Sequence, residues 1–304
     1  MIYAIGSFDG FHAGHRELLK KACELAQNSD NWGVITFDRN PQQLFIRDNF
    51  KQIFTDAERD FYAECLGIPK LVKIRFTKEF SRLSPEQFMS LLKNKYKAEG
   101  LVVGCNFRFG ADRGGDTAFV KKFCSDNNML FSVVDMVLSD DRPVSSTRIR
   151  SLISAGNVAE TAEVLGIPYF ISGIVREGRH TGRELGYPTA NILPDDGKLY
   201  PPDGSYATLT LAGERLYPSV TNLGRNPTFN GKKTVCETYI IDFSGNSLYG
   251  LEIKVFFISR IREEKKFGSA EQLADQIAAD VACARMYAAE YIKNNASAVA
   301  LITA

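Results

Sequence analysis

The sequence has no excess of charge of either sign and no long apolar run. Its 37 Lys and Arg residues nearly balance 36 Asp and Glu residues, for a formal net charge of +1. It therefore lacks the basic tail or stripe that would neutralise a run of nucleic-acid phosphates. No stretch of about 18 apolar residues occurs, and no basic segment followed by an apolar one opens the chain. These absences predict a cytoplasmic protein with neither nucleic acid nor a membrane as partner.

Cysteine and histidine are not arranged as metal ligands. The six cysteines are scattered, with no C-x-x-C pair and no nearby histidine to complete a zinc set, so we interpret them as reduced, mostly buried thiols. No P-loop pattern G-x-x-x-x-G-K-[ST] is present, which excludes a P-loop kinase. With 304 residues the chain is long enough for two domains with separate cores.

The first half alternates short apolar runs with longer amphipathic segments. The runs IYAIGSF, WGVITF, LVKIRF and LVVG are each followed by a segment with helical periodicity, which is β-α-β-α order. Thr55 with Glu58 and Ser84 with Gln87 have the spacing of capping boxes and predict helix starts. Apolar strands between helices predict a parallel sheet covered on both faces, with ligands at the carboxyl ends of the strands. We assign this domain to residues 1–168.

The second half has a different pattern of apolar and turn-forming residues. The strand-like runs FISGIVR, GSYATLTL, KTVCETYIIDF and LEIKVFFIS are separated by Gly, Pro and Asn, without long helical segments between them. This pattern predicts a small antiparallel β-barrel. Ser269 and Gln272 then have capping-box spacing and open a helix whose apolar face would pack on the barrel. We assign this domain to residues 169–304, so the fold class is mixed α/β.

The segment FDGFHAGH, from Phe8 to His15, joins the first strand to the first helix and contains two of the three histidines in the chain. Gly14 brings the backbone close to the mouth of that helix, where free N–H groups and the helix dipole attract phosphate. His12 and His15, three residues apart, place two imidazoles on one side of this site. Their N–H groups would stabilise charge developing on a transferring phosphate. A pair of surface histidines in a glycine-rich turn is the alternative interpretation.

This segment resembles the H-x-G-H signature of the nucleotidyltransferase superfamily, and most closely its flavin adenylyltransferase branch. The segments TFDRNP, VGCNFRFG and VSSTRIR follow in the same order as in that branch. The resemblance implies that VSSTRIR holds the outer phosphates of ATP, and Ser146 and Thr147 suit this role as hydroxyl donors at a helix start. An ordinary helix cap followed by solvated arginines is the alternative. The resemblance implies ATP-binding roles for Phe8, Gly14, Asn106, Ser146, Thr147 and Arg150.

Two positions depart from the family pattern. Arg39-Asn40-Pro41 stands where the family often has Pro-His-Pro, and Asn106 stands where it often has Asp. Asn keeps a hydrogen-bond acceptor and loses the charge, so Asn106 would act as a hydrogen-bond partner. Phe107 and Phe109 nearby could stack on a flavin or adenine ring, although a Phe after a buried strand is more often part of the core.

In the second half, the segment from Gly173 to Ile192 reads GIVREGRHTGRELGYPTANI. Its glycines let backbone amides approach phosphates, and its arginine adds positive charge. Thr189 and Asn191, two apart on an extended strand, would point both oxygens to one face as part of the shell of a hydrated Mg²⁺ ion. A glycine-rich turn leading into an edge strand is the alternative. We assign the binding of ATP in this half to Gly182, Arg183 and Gly186.

The same segment resembles the signature of riboflavin kinases, and TNLGRNPTF, ETYIIDF and IREEKKF resemble later motifs of that family. The resemblance implies that Glu237, which opens ETYIIDF, is the catalytic base for the riboflavin 5′-hydroxyl. It also implies that Arg262 and Phe267 bind the flavin. Glu237 lies in an alternating strand, where a carboxylate can be aimed at a bound hydroxyl. A solvated glutamate on a strand face is the alternative.

Because both sets of motifs together cover nearly the whole chain, it is identified as a member of the bifunctional riboflavin kinase and FAD synthetase family. The resemblance implies a Rossmann-like nucleotidyltransferase domain that adenylylates FMN to FAD with release of pyrophosphate, and a barrel that phosphorylates riboflavin to FMN. Mg²⁺ is the expected cofactor, riboflavin, FMN and ATP are the expected partners, and the oligomeric state stays open. Two alternatives remain: a nucleotidyltransferase for another phosphorylated alcohol, and a flavin-binding sensor without turnover.

Overall fold

The computed structural model describes residues 1–27, 30–45, 50–178, 182, 185–193, 195, 197–225, 234–245 and 247–303. Contacts between α-carbons divide the chain into two compact units, which are Met1–Gln52 with Arg59–Ser146 and Ile53–Glu58 with Thr147–Ala304. Each unit contains its own sheet.

A five-stranded parallel sheet forms the centre of the first unit. Its strands are β1 (Ile2–Ile5), β2 (Trp32–Phe37), β3 (Leu71–Ile74), β4 (Gly100–Gly104) and β5 (Leu130–Val134). They pair in the order β3-β2-β1-β4-β5, and every pairing is parallel. The central strands β2, β1 and β4 are almost wholly buried, because helices cover both faces of such a sheet. The predicted parallel α/β fold is confirmed.

The helices up to residue 165 are α1 (Ala13–Ala26), α2 (Pro41–Phe45), α3 (Asp56–Cys65), α4 (Pro85–Asn94), α5 (Thr117–Asp126), α6 (Ser146–Ala155) and α7 (Val158–Leu165). A short hairpin of β6 (Leu138–Ser139) and β7 (Arg142–Pro143) precedes α6. Both capping boxes predicted in the first half of the chain form. Thr55 and Glu58 exchange side-chain and backbone bonds of 3.3 and 2.8 Å, and Ser84 and Gln87 exchange bonds of 3.2 and 2.9 Å. Each box satisfies free N–H groups and so fixes a helix start.

The second unit is built on a closed antiparallel barrel, as predicted. Its strands are β8 (Phe170–Arg176), β9 (Thr189–Ile192), β10 (Gly204–Ala212), β11 (Arg215–Arg225), β12 (Thr234–Ile240) and β13 (Glu252–Glu263). They close in the order β10-β11-β12-β9-β8-β13. The strand-like runs of the sequence do not include β11, because Pro218 interrupts its pattern. The helices α8 (Ala270–Asn294) and α9 (Ala296–Thr303) follow the barrel.

The two faces of the barrel wall have different chemistry. Hydroxyl groups on neighbouring strands bond to one another within the buried inner face, at 2.8 to 2.9 Å: Thr208, Ser219, Thr221 and Thr238. The alternating residues of the same strands face the other way, and there Val220 packs in an apolar cluster with Ala284 of α8. Helix α8 therefore covers part of the outer face of the barrel, as its apolar stripe predicts.

The helix α7 and all of α6 beyond Ser146 group with the barrel. The turn between these helices contains Gly156, where an added Cβ would lie 3.3 Å from Cδ of Arg260 on β13. Apart from Ile53–Glu58, the second unit begins at Thr147 when the chain is divided by compactness, whereas the change in sequence pattern predicts a domain boundary at residue 168. That functional boundary stays a prediction.

The segment Ile53–Glu58 is held in the second unit by a buried ion pair. Lys198 pairs with Oε2 of Glu58 and donates to the carbonyl oxygen of Ile53 at 3.0 Å, while Oε1 of Glu58 accepts from the backbone N–H of Ser172 at 2.8 Å. The side chains of Lys198 and Glu58 are 1% and 0% exposed. Three ring centroids lie 4.6 to 5.8 Å from the Lys198 ammonium: Phe54, Tyr169 and Phe170.

All six cysteines are free thiols, as the sequence predicts. Cys124 and Cys236 are buried, but Cys23 and Cys105 are exposed and the other two are half-buried. The prediction of mostly buried thiols is therefore wrong, because Cys23 lies on the solvent side of α1 and Cys105 lies in the loop after β4, where burial ends. Within the described part of the chain, no helix combines the length and the apolar character needed to cross a bilayer.

Candidate active sites

The first candidate site is a cavity of about 400 Å³ in the first unit. It lies at the carboxyl ends of β1, β4 and β5, whose terminal residues or their neighbours form part of its wall. Ligands of parallel α/β sheets bind at this edge. Five of the side chains or backbone positions singled out in the sequence meet in this wall: His12, Gly14, His15, Asn106 and Ser146.

The turn before α1 is strained and is held by two buried rings. Phe8 and Phe11 have φ angles of 44° and 43°, a conformation that bulky residues rarely adopt. Both rings are buried and lie 5.4 Å apart, and the Phe8 ring also lies 4.9 Å from the His15 ring. Phe8 therefore supports His15 from the core and is not part of the cavity wall. Its expected contact with ATP stays a prediction.

The two histidines form a stacked pair at the amino end of α1. Their ring centroids lie 3.7 Å apart with planes 15° from parallel. His12 caps the helix, because its Nδ1 accepts a hydrogen bond of 3.3 Å from the backbone N–H of His15. A neutral imidazole whose Nδ1 accepts carries its proton on Nε2, so His12 presents an Nε2–H donor.

Burial keeps both imidazoles neutral near pH 7. Desolvation lowers the pKa of His12 from 6.5 to about 4, since a charged ring loses its hydration in the buried site. Burial likewise holds the pKa of His15 well below its ordinary value, and the neighbouring His12 lowers it further. An anionic phosphate in the cavity would favour the protonated forms. Neutral imidazoles would offer N–H donors to such a ligand, and the charge of the pair would change when an anion binds.

The start of α6 closes the site from another side. The Ser146 hydroxyl donates to the carbonyl oxygen of Asp9 at 3.1 Å, which ties this helix start to the FDGF turn. Backbone N–H groups at the start of a helix can bind an anion. Thr147 and Arg150 follow within residues that group with the second unit. Their expected roles in ATP binding stay predictions.

The loop after β4 contributes residues that the sequence only partly marks. Asn106 and Phe107 lie in the cavity wall, whereas Phe109 is 8% exposed in the core and stacks on Phe107 at 5.2 Å. Of the two possible ring-stacking residues, only Phe107 can therefore meet a ligand in this cavity. Arg108 and Arg113 also form part of the wall. Their signal in the sequence is two cations within the glycine-rich run FRFGADRGG.

The second candidate site is a cavity of about 280 Å³ in the second unit, against the barrel wall and α8. Five residues expected from the sequence form part of its wall: Gly182, Thr189, Glu237, Arg262 and Phe267. Residues that were not singled out individually lie there as well: Ser205, Asn222, Glu264 and Asp280. Asn222 and Glu264 belong to the motif segments TNLGRNPTF and IREEKKF, whereas Ser205 and Asp280 lie in neither. The cavity therefore brings together the expected base and the expected flavin-binding residues.

The strand register places the expected base among amide side chains. Glu237 of β12 lies directly opposite Asn222 of β11 and Asn191 of β9, and opposite residues of an antiparallel ladder share a face. Thr189 shares that face too, since it lies two residues from Asn191 on β9. A Glu on a barrel strand thus faces polar side chains of both neighbouring strands.

Thr189 and Asn191 touch each other, as their spacing predicts. The Asn191 amide donates to the carbonyl and hydroxyl oxygens of Thr189 at 3.2 and 3.4 Å. Because the N–H side of the amide is engaged, its Oδ1 is left to face another donor or a cation. Neutral oxygens of this kind fit Mg²⁺, which takes a few protein oxygens and completes its shell with water and phosphate. Thr189 is in the cavity wall, and Asn191 is not among the residues that form it.

The glycine-rich segment of this site needs two of its glycines. A Cβ at Gly182 would lie 2.4 Å from the carbonyl oxygen of Tyr187, because the Tyr187 N–H donates to the Gly182 oxygen at 2.7 Å and closes the turn. Gly186 has a φ of +83°, which favours glycine. Arg183 and His180 lie outside the described residues, so the expected phosphate contact of Arg183 stays a prediction.

The comparisons with known proteins agree on both halves. Residues 1–148 match the family model described as FAD synthetase, and residues 165–288 match the one described as riboflavin kinase. The chain is 34% identical to the bifunctional riboflavin kinase/FMN adenylyltransferase of Escherichia coli (strain K12), over 94% of this chain and 92% of that protein. It is 32% identical to the protein of the same name from Bacillus subtilis (strain 168), over 92% and 90%.

A solved structure has the same fold over nearly the whole chain. It is a crystal structure from Streptococcus pneumoniae described as a macrolide-efflux protein, with a TM-score of 0.84 and 32% sequence identity. The match covers 93% of each chain.

Proposed function

The chain belongs to the bifunctional riboflavin kinase/FMN adenylyltransferase family, and from that premise we propose that its two cavities carry out the two consecutive steps of FAD synthesis. The enzyme phosphorylates riboflavin with ATP to give FMN. It then transfers the adenylyl group of a second ATP to FMN and releases pyrophosphate. We assign the first step to the cavity of the barrel and the second to the cavity of the parallel sheet. We expect the enzyme to act in the cytoplasm.

In the kinase step the riboflavin 5′-hydroxyl oxygen attacks the γ-phosphorus of ATP, and ADP leaves. We assign Glu237 as the base that accepts the hydroxyl proton. Phosphoryl transfer passes through a loose transition state, so positioning and charge stabilisation supply most of the rate. Bound Mg²⁺, reached by the oxygens of Thr189 and Asn191, would neutralise charge on the phosphates. This assignment is supported by Glu237 and Thr189 lying in one cavity wall.

In the adenylyl step a phosphate oxygen of FMN attacks the α-phosphorus of ATP, and pyrophosphate leaves with its electron pair. We assign His12 and His15 to the oxygens on which charge accumulates, since donors aimed at developing charge are the largest electrostatic contribution in such sites. The helix starts of α1 and α6 supply further N–H groups. The observation that carries this assignment is the stacked neutral pair at the head of α1, in the same cavity wall as Ser146.

Two alternative functions explain fewer of the structural features. A nucleotidyltransferase for another phosphorylated alcohol does not account for the barrel cavity with Glu237, Arg262 and Phe267 in its wall. A flavin-binding sensor without turnover does not need an expected base among the polar residues of three strands.

The direct test is product analysis with the purified protein. Incubated with riboflavin, ATP and Mg²⁺, it should form FMN and ADP first and FAD and pyrophosphate later, each separable by chromatography. With FMN and ATP it should form FAD without a lag. Binding of flavin without any product would favour the sensor, and a nucleotidyl transfer that requires a different phosphorylated acceptor would favour the other alternative.

A further inference from the structure

A cluster of charged and polar side chains surrounds one buried carboxylate in the wall of the barrel cavity. Asp280 of α8 is 2% exposed and accepts hydrogen bonds from three side chains. Nε of Arg262 lies 3.0 and 3.2 Å from its two oxygens and Nη2 lies 2.8 Å from Oδ2. The Ser205 hydroxyl and the Gln276 amide donate at 2.9 Å each. A buried carboxylate is stable only when it is satisfied in this way.

These bonds determine what Arg262 offers to a ligand. Its Nε and Nη2 face Asp280, and Nη1 donates to the carbonyl oxygen of Glu263 at 3.1 Å. The edge of the guanidinium is therefore mostly engaged, and its charge is balanced by Asp280 at short range. Its central carbon lies 5.7 Å from the Phe267 ring centroid. The guanidinium plane of Arg262 is therefore a flat surface that is held in place, has its charge balanced and lies next to the Phe267 ring. Guanidinium planes stack on aromatic faces.

We propose that Asp280 is the positioning residue that sets flavin specificity in the barrel cavity. By holding and neutralising Arg262, it makes this wall a flat platform for an uncharged fused ring system and not a site for an anionic group. Asp280 acts through Arg262 and does not itself touch the flavin. The inference rests on the proposed kinase site and adds the residue that fixes how the flavin ring is recognised.

The alternative for Asp280 is a purely structural role, as an anchor of α8 on the barrel. That role predicts a loss of fold stability and an equal loss of every activity of the barrel. A positioning role predicts a selective loss, since the flavin ring depends on the plane of Arg262 and the ATP phosphates do not. The two roles therefore differ in how much a substitution of Asp280 changes Kd for riboflavin relative to KM for ATP.

The test measures riboflavin binding to the full chain by quenching of flavin fluorescence, without ATP, in Asp280→Asn and Asp275→Asn. Asp275 is an exposed residue of the same helix, so its variant controls for the loss of one negative charge from α8. For Asp280→Asn we expect Kd for riboflavin to rise about tenfold or more. KM for ATP should change less than about twofold, and FAD formation from supplied FMN should stay as in the control.

The coupling to Arg262 is tested with a double-mutant cycle. In an Arg262→Met background, Asp280→Asn should weaken riboflavin binding by less than about twofold, because the guanidinium that Asp280 would hold in place is already absent. An undiminished effect in that background would overturn the proposal. If Asp280→Asn does not fold, Asp280→Leu with Arg262→Met removes both charges, which buried pairs tolerate. Normal riboflavin affinity in that double variant would also overturn it. Absence of kinase turnover in the unmodified chain would instead reject the proposed function and leave the binding result intact.

Discussion

Removing the charge of Glu58 should destabilise the second unit strongly, because the buried Lys198 ammonium loses the carboxylate of Glu58. The Lys198 side chain is 1% exposed, so water cannot replace the lost partner. Breaking a buried ion pair by removing one member costs about 3 to 5 kcal/mol. The aromatic rings around the ammonium offset part of this, at about 0.5 to 2 kcal/mol for a desolvated contact. In Glu58→Gln the amide oxygen still accepts from Ser172 or Thr55, so we expect a net loss of about 3 kcal/mol.

The double variant Glu58→Gln with Lys198→Met separates charge from shape. Methionine keeps an unbranched apolar chain among Phe54, Tyr169 and Phe170, and no charge is left to desolvate, so the double variant should be more stable than Glu58→Gln alone. The assay is urea unfolding followed by far-ultraviolet circular dichroism. Asp242→Asn is the matched control, since it breaks an exposed pair with Arg285 and should change nothing measurable. Stability of Glu58→Gln equal to the control, or no recovery in the double variant, would refute this reasoning.

Three further predictions concern the two sites. His12→Ala or His15→Ala should lower kcat/KM for FAD formation from FMN, by an amount that corresponds to a loss of about 2 to 4 kcal/mol of transition-state stabilisation. The kinase step should be unaffected. Near-normal adenylyl transfer in both variants would contradict the assigned role. Because burial lowers the pKa of His12 from 6.5 to about 4, its contribution to stability is fully present above pH 6.5 and is lost as the pH falls toward 4, on the order of 3 kcal/mol. Urea unfolding at several pH values should therefore be less acid-sensitive in His12→Gln than in the unmodified chain. Asn191→Ala should raise the Mg²⁺ concentration needed for FMN formation and not that for FAD formation, and an unchanged Mg²⁺ titration of the kinase step would contradict the metal assignment.

The elements with simple periodic patterns could be predicted from the sequence. The buried strands of the parallel sheet are continuous apolar runs, and the capping boxes at Thr55 and Ser84 form because their bonds are local. Strand β11 could not be predicted in the same way, since Pro218 lies inside it and its pairing depends on two distant strands.

The residues of the candidate sites also fall into those that could and those that could not be predicted from the sequence. Residues of contiguous motifs, such as His12 and Glu237, could be found because the motif itself carries their chemistry. Asp280 and Lys198 could not, because each is a single charged residue whose role depends on partners far away in the chain. The role of Arg59 could not be predicted from the sequence either. This residue is buried in α3 and donates to the carbonyl oxygens of Phe37 and Asp38, at 2.9 and 3.3 Å. These carbonyls lie at the end of β2, where Phe37 forms part of the first cavity wall.

Two single-site variants, each given two substrates, test directly whether the chain carries two separate active sites. Glu237→Gln and His15→Ala are incubated with riboflavin plus ATP in one tube and with FMN plus ATP in another, and FMN and FAD are followed by chromatography. Glu237→Gln keeps the size of the side chain but cannot accept the hydroxyl proton, so FMN formation should fall by about 10² to 10⁴ while FAD formation from supplied FMN continues. His15→Ala should do the reverse and accumulate FMN. An equal loss of FMN formation from riboflavin and of FAD formation from supplied FMN in either variant, or no loss in both variants, would contradict the assignment of the two steps to two cavities.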